Sequence, residues 1–255
     1  MEKDPKVGLA LSSGAARGLA HIGVIKVLEE ENVSIDYITG SSMGALVGAL
    51  YAVGITPRVM ESLAISLDKR RWVDWKFSGL GAMGGKKVED LLKLLIRDKT
   101  FQELNLSLTV VATDLINGEL VEIKEGSLLQ AVMASIAVPG IFPPVQHQEK
   151  MLVDGGVLCR IPVQQARDLG AEVVLAVDVG GLIQEAHICN FFDVVSQAIS
   201  IMGREIMKDK LVNADVMVCP GISNIGLTQF QKAEACIREG EKAARKVMPL
   251  LRSLL

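Results

Sequence analysis

The pentapeptide Gly40-Ser41-Ser42-Met43-Gly44 constrains this chain more than any other stretch. An apolar, strand-like lead, Tyr37-Ile38-Thr39, enters it, and a helix-like run of small apolar residues, Ala45 to Val53, leaves it. A serine flanked at two residues on each side by glycine, between a strand and a helix, is the pattern of a sharp turn that pushes the serine hydroxyl out of a sheet. At such a turn the two flanking positions pass close together, so only glycine fits there. Gly40 and Gly44 meet that demand around Ser42. On the motif alone, an exposed nucleophile and a plain tight turn in a glycine-rich α/β protein stand as equal readings.

The chain has 255 residues and is 49% hydrophobic, enough for one large α/β domain or two small ones, with a sizeable core. Its net charge of −3 lacks the basic footprint of a nucleic-acid binder. Cys159, Cys189, Cys219 and Cys236 lie far apart without a C-x-x-C pair, which predicts reduced thiols rather than a disulfide frame or a zinc site. Met1-Glu2-Lys3-Asp4 opens polar and leads directly to a strand, so no signal peptide is expected. The most membrane-like stretch, Ala45 to Ile55, is too short to span. These features together predict a cytoplasmic protein.

Val7 to Leu11 reads as a buried strand, and a helix follows to about Glu31 with Leu19, Ile22, Ile25 and Leu28 on one face. Between them lies Ser12-Ser13-Gly14-Ala15-Ala16-Arg17-Gly18. A loop of small residues before a helix leaves backbone N–H groups unpaired, which suits an anion. It reads as a phosphate cradle, although neither common nucleotide motif is present, as a plain turn, or as an oxyanion hole serving Ser42. Thr56-Pro57 opens a helix to about Lys69. Lys69 to Phe77 gathers both tryptophans, Trp72 and Trp75, among cations that include Arg70 and Arg71. That segment reads as an interfacial patch or lid, or as a helix end with an aromatic anchor. Gly79 to Gly85 reads as a flexible link and Val88 to Ile96 as an amphipathic helix.

Leu108–Thr113 and Leu120–Ile123 read as strands joined by the hairpin signal Asn117-Gly118. Helices are expected over Leu128–Ile136, from Pro162 to Leu169 and over Phe191–Leu211, and strands over Met151–Val153, Glu172–Val179 and Val216–Cys219. Thr228-Gln229-Phe230-Gln231 reads as a capping box opening a C-terminal helix that Pro249 bends or ends. Alternating strands and helices without repeats predict one α/β domain with a mainly parallel sheet.

Ser42 needs a base to become a nucleophile. The chain has three histidines, His21, His147 and His187, and a Ser42–Asp178–His187 order is formally available. Asp154 is the other candidate: it ends a strand and precedes Gly155-Gly156, which permit close approach to a neighbouring element. An unperturbed aspartate is a weak base at neutral pH, so this reading requires strong transition-state stabilisation elsewhere.

Taken together, Ser13-Gly14-Ala15-Ala16-Arg17-Gly18, the Gly40–Gly44 turn and Asp154-Gly155-Gly156 resemble the patatin-like phospholipase family, in particular its bacterial and neuropathy-target-esterase-like branch. Ala112-Thr113-Asp114-Leu115, Asn117-Gly118-Glu119 and Ala137 to Val145 are similar as well. The resemblance runs from Val7 to about residue 250, one patatin-like domain over 1–255 with a core at about 7–165 and C-terminal helices at about 190–255. It implies a three-layer α/β/α fold with a mainly parallel central sheet. It also implies a Ser42–Asp154 dyad without histidine, and an oxyanion hole of N–H groups around Gly14, Ala15 and Ala16, with Arg17 holding the loop. No metal or cofactor is implied. The implied substrate is a lipid or acyl ester, with peripheral contact at the inner membrane face. The chain departs from the family where Ser12, Ser13 and Ala15 replace glycines and where Cys159 replaces an asparagine. Two rival readings are a Ser-Asp-His esterase or thioesterase on soluble substrates, and a non-catalytic lipid-binding or regulatory module.

Overall fold

The computed structural model describes residues 4–66, 75–78, 81–180, 188, 191–207 and 214–255. Its strands are β1 (Val7–Leu11), β2 (Tyr37–Ser41), β3 (Trp75–Ser78), β4 (Gly81–Met83), β5 (Ser107–Asp114), β6 (Glu119–Ile123), β7 (Val145–His147), β8 (Lys150–Asp154), β9 (Val173–Val177) and β10 (Val216–Val218). Its α-helices are α1 (Ala20–Glu30), α2 (Met43–Ala52), α3 (Pro57–Ser66), α4 (Lys86–Ile96), α5 (Leu128–Ser135), α6 (Val163–Asp168), α7 (Phe191–Met207) and α8 (Ala233–Arg252).

One sheet runs in the order β10-β9-β1-β2-β5-β8-β7, with β6 also paired to β5. β10, β9, β1, β2 and β5 are mutually parallel; β6, β8 and β7 add antiparallel pairings. The sheet is therefore mixed, parallel through its first five strands. Successive strand residues face opposite layers. Leu9, Leu11, Ile38, Val110, Leu175 and Val177 join a large core with residues of α1, α2, α5 and α8. Ala10, Val174 and Ala176 face the other way, against Ile161, Val163 and Ala166 at α6. The small residues of that second face let α6 lie close, and Thr39 Oγ1 donates to Pro162 O at 2.7 Å.

α1 and α8 pack tightly because each brings a glycine to the crossing. A Cβ on Gly23 would lie 2.0 Å from Ile237 O, and one on Gly240 would lie 2.0 Å from Ala20 O. Lys26 of α1 pairs with both Glu61 of α3 and Glu241 of α8.

Three local expectations change. Gly81–Met83 is a strand paired antiparallel with Trp75–Ser78, rather than a plain link, because cross-strand hydrogen bonds hold a composition that looks loose in isolation. The capping box at Thr228 does not form: Thr228 Oγ1 donates to Asp193 Oδ1, Gln229 Oε1 accepts Gly226 N–H, and α8 begins at Ala233. Of the two readings of Pro249, an end to the helix is excluded, because α8 continues to Arg252. The helix read to about Glu31 is α1, and the loop before it winds into a 3-10 turn over Ala15–Leu19.

Gly23→Ala is expected to lower stability by about 1–3 kcal/mol through overpacking, against the roughly 1 kcal/mol that helix propensity gains. Urea unfolding should show a reduced midpoint, whereas Gly221→Ala, whose Cβ meets only the Glu239 carboxylate at 3.4 Å, should leave it nearly unchanged.

Candidate active site

β2 and β8 share one edge of β5. β2 pairs in parallel with Ser107–Val111, and β8 pairs antiparallel with Ala112–Asp114. β6 pairs with Val110–Asp114 and so occupies the opposite edge. The C-terminal ends of β2 and β8 therefore meet head to head, with Ser41 opposite Val111 and Asp154 opposite Ala112. This brings together two side chains that are 112 residues apart in sequence: Ser42 Oγ donates to Asp154 Oδ2 at 2.6 Å.

Ser42 has φ 52 and ψ −120, a conformation that costs a non-glycine residue about 1–3 kcal/mol. Packing over-determines it. A Cβ on Gly40 would sit 2.6 Å from Gly44 O and 2.5 Å from Ala45 Cα; one on Gly44 would sit 2.2 Å from Leu11 O. The turn is thus wedged against its own helix start on one side and the end of β1 on the other. Ser135, buried at the end of α5, completes the wedge. Its hydroxyl accepts Ser42 N–H at 2.9 Å and donates to Val111 O at 2.7 Å. No signal in the sequence singled out this serine, because its role depends on α5 lying across β5.

Asp154 is 4% exposed. Its Oδ1 accepts Gly156 N–H at 2.7 Å, its own N–H donates to Ala137 O, and Thr113 Oγ1 donates to its carbonyl. Burial pushes its pKa up to about 6, against the opposing pull of the Ser42 hydroxyl, the Gly156 N–H and the Arg160 charge. Gly155 approaches the β5 backbone so closely that a Cβ would lie 2.3 Å from Val111 O. Cys159 does not touch this carboxylate: its N–H donates to Gly155 O and its Sγ lies 3.7 Å from Gln165 Oε1.

The loop of small residues runs beside the pair. Ser12 Oγ accepts Val179 N–H, so its hydroxyl fastens the loop, and the Ser13 backbone N–H donates to Arg160 O. Ala15 has a positive φ of 45. The N–H groups of Gly14 and Ala15 have no acceptor among the described residues. Ala16 departs from expectation, because its N–H already donates to Leu227 O and does not point free. Arg17 is buried, and its guanidinium donates to Ile225 O, Gly180 O and Ser223 O. A cavity of about 50 Å³ is lined by Gly14, Ala15, Ser42, Asp154 and Gly156, with Ser196, Ile199 and Ser200 of α7 across from them.

The remaining candidates lie elsewhere. His21 is fully buried, its Nε2 lies 2.8 Å from Ser12 O, and desolvation pushes its pKa down to about 4, so it is a neutral core histidine. His147 ends β7 at the sheet edge. Asp178 accepts Gly180 N–H and lies 3.6 Å from Arg160 Nη2. His187, Arg70, Arg71 and Trp72 fall outside the described residues, and Trp75 opens β3. Among the described residues no group of three His, Cys, Asp or Glu could hold a metal, and no helix is long and apolar enough to cross a membrane.

A mixed α/β sheet with a strained strand–serine–helix turn, faced by a buried aspartate, defines a class of fold and site. The chain belongs to the patatin-like phospholipase family, whose model matches residues 9–167. An uncharacterized NTE family protein of Mycobacterium tuberculosis is 38% identical over 180 residues, 69% of this chain and 50% of that protein. Lysophospholipase nte1 of Aspergillus fumigatus is 32% identical over 182 residues, 69% of this chain and 12% of that protein. The chain thus spans half or less of these relatives' length. The crystal structure of VipD from Legionella pneumophila shares the fold, with a TM-score of 0.68 at 14% identity over 97% of this chain and 67% of that one.

The raised Asp154 pKa has two measurable consequences. Proton acceptance from Ser42 requires the ionised carboxylate, so any activity carried by this pair should fall as pH drops through about 6, read as the acidic limb of kcat/KM. For stability the sign is opposite. The folded state holds the proton more tightly than an unfolded aspartate near 3.8, so this contribution is full below pH 3.8 and lost as pH rises through about 6. Asp154→Asn should therefore raise the urea midpoint at pH 7.5 by the equivalent of about 1–3 kcal/mol, the gain shrinking toward pH 4. Ser135→Ala strips the Ser42 N–H of its acceptor and should cost about 1–3 kcal/mol in the same assay.

Proposed function

We propose that this chain is a serine hydrolase of lipid acyl esters, of phospholipase A, lysophospholipase or carboxylesterase type. The observation that carries the reading is the 2.6 Å hydrogen bond from Ser42 Oγ to Asp154 Oδ2 in a cavity also lined by Gly14 and Ala15, whose N–H groups have no acceptor among the described residues. Ser42 Oγ attacks the ester carbonyl as its proton passes to Asp154 Oδ2. The carbonyl oxygen takes up negative charge, which Gly14 and Ala15 N–H stabilise. The C–O bond to the alcohol breaks, and Asp154 returns the proton to the leaving oxygen. Water then attacks the acyl-enzyme, giving its proton through Asp154 back to Ser42 and releasing the carboxylic acid.

The family and the lysophospholipase relative support a lipid substrate. Peripheral contact with a membrane surface through the segment around Trp72 and Trp75 belongs to the same reading. Asp154 is a workable base because burial has moved its pKa much of the way toward neutrality.

The deciding experiment is fluorophosphonate labelling and p-nitrophenyl acyl ester hydrolysis by wild type, Ser42→Ala, Asp154→Asn and His187→Ala. The dyad predicts loss of labelling in Ser42→Ala. In Asp154→Asn it predicts turnover reduced by about 10²-fold or more. His187→Ala should remain active. Retained turnover in Ser42→Ala sinks the reading, and selective loss in a folded His187→Ala transfers the base to histidine.

A further inference from the structure

Arg160 stands in the wall of the Ser42 cavity without holding either Ser42 or Asp154. It is 4% exposed. Its Nη1 donates to Ser200 Oγ at 3.0 Å. Its Nη2 lies 3.6 Å from Asp178 Oδ1, an ion pair too long to be a hydrogen bond, and has no acceptor among the described residues. Arg204, one turn beyond Ser200 on α7, likewise keeps a buried Nη2 with no acceptor among them. A buried guanidinium N–H without a partner is costly, and one on a residue of the cavity wall with a second on a neighbouring arginine calls for an explanation.

The local charge balance points the same way. Arg17, Arg160 and Arg204 lie within electrostatic reach of one another. Arg17 is committed to three carbonyl oxygens. Of the carboxylates they feel, Asp154 is engaged by Ser42 and Gly156, which leaves Asp178 facing Arg160. Among the described residues positive charge is thus in surplus beside Ser42; desolvation holds the Arg160 pKa down and the Arg204 charge adds to it, against the pull of Asp178. An anion would relieve both the charge and the unmet N–H groups.

We propose that Arg160 and Arg204 form a subsite for phosphate oxygens beside Ser42. The inference rests on ester hydrolysis at Ser42 as proposed above. A guanidinium presents a planar fork that matches phosphate oxygens in pairs. In a glycerophospholipid or lysophospholipid the phosphate is attached to the same glycerol as the ester, so it arrives a few bonds from the attacked carbonyl. The acyl carbonyl carbon, by contrast, is the reacting atom and sits at Ser42, and the fatty-acid carboxylate forms only in the product. Arg160 is a specificity residue in this assignment, distinct from the loop-holding Arg17.

The test compares lysophosphatidylcholine with a monoacylglycerol of the same chain length, in the same detergent micelles, for wild type, Arg160→Gln, Arg160→Lys and Arg204→Gln. Wild type should prefer the phosphate-bearing ester. Arg160→Gln should reduce the ratio of the two kcat/KM values by about 10-fold or more, and Arg160→Lys should restore part of it. Arg204→Gln should shift the ratio the same way and carries the comparison if Arg160→Gln does not fold. Inorganic phosphate should inhibit wild type and lose that effect in Arg160→Gln. Phosphate inhibition without an ester preference keeps the subsite and assigns it to the free ion rather than a headgroup. An unchanged ratio together with no phosphate inhibition overturns the proposal. Thermal stabilisation of Ser42→Ala by phosphate is read independently of turnover. Stabilisation retained while neither ester is cleaved by wild type would overturn the hydrolase reading and leave the subsite standing.

Discussion

The site depends on two strands ending against each other along one edge of β5. Val111 pairs with Ser41 and Ala112 with Asp154, so the two strand ends stand at consecutive residues of β5. Such an abutment works only where no side chain intrudes. Gly44 lies under the Leu11 carbonyl and Gly155 under that of Val111. The glycines therefore do more than permit turns. They set the separation between Ser42 and Asp154, and the hydrogen bond between those residues is a result of backbone packing before it is a matter of side-chain chemistry.

This arrangement runs against stability at two points. Ser42 is held at a positive φ, and Asp154 keeps a carboxylate almost wholly withdrawn from water. Each costs free energy that the cores on both sides of the sheet must offset. The opposition has a purpose in the proposed chemistry: the burial that destabilises the Asp154 anion is what makes it a stronger base.

Much of this was legible in the sequence because it was local. Gly40, Gly44, Gly155 and Gly156 mark close approaches wherever they stand, and the alternation from apolar runs to small-residue turns marked β1, β2, β5 and β9. Asn117-Gly118 fixed the β5–β6 hairpin, where Gly118 has φ 68. What was hidden required knowing which distant segments meet. Ser135 acts because α5 crosses β5; Ala16 is spent because Leu227 comes back to it; Arg160 faces Ser200 because α7 returns over the Gly155 turn. Thr228 shows the converse error, since a local capping pattern lost to a tertiary partner, Asp193.

The ties from Arg17 reach Ser223 and Ile225, as many as 208 residues further along the chain. A growing polypeptide that has already laid down Ser42 and Asp154 still lacks the carbonyl groups that seat the loop carrying Gly14 and Ala15. Seating of that loop is thereby deferred until the segment after β10 has been made. A nascent chain on the ribosome holds Ser42 and Asp154 early, yet the loop beside them stays unseated until the segment after β10 has emerged and folded back.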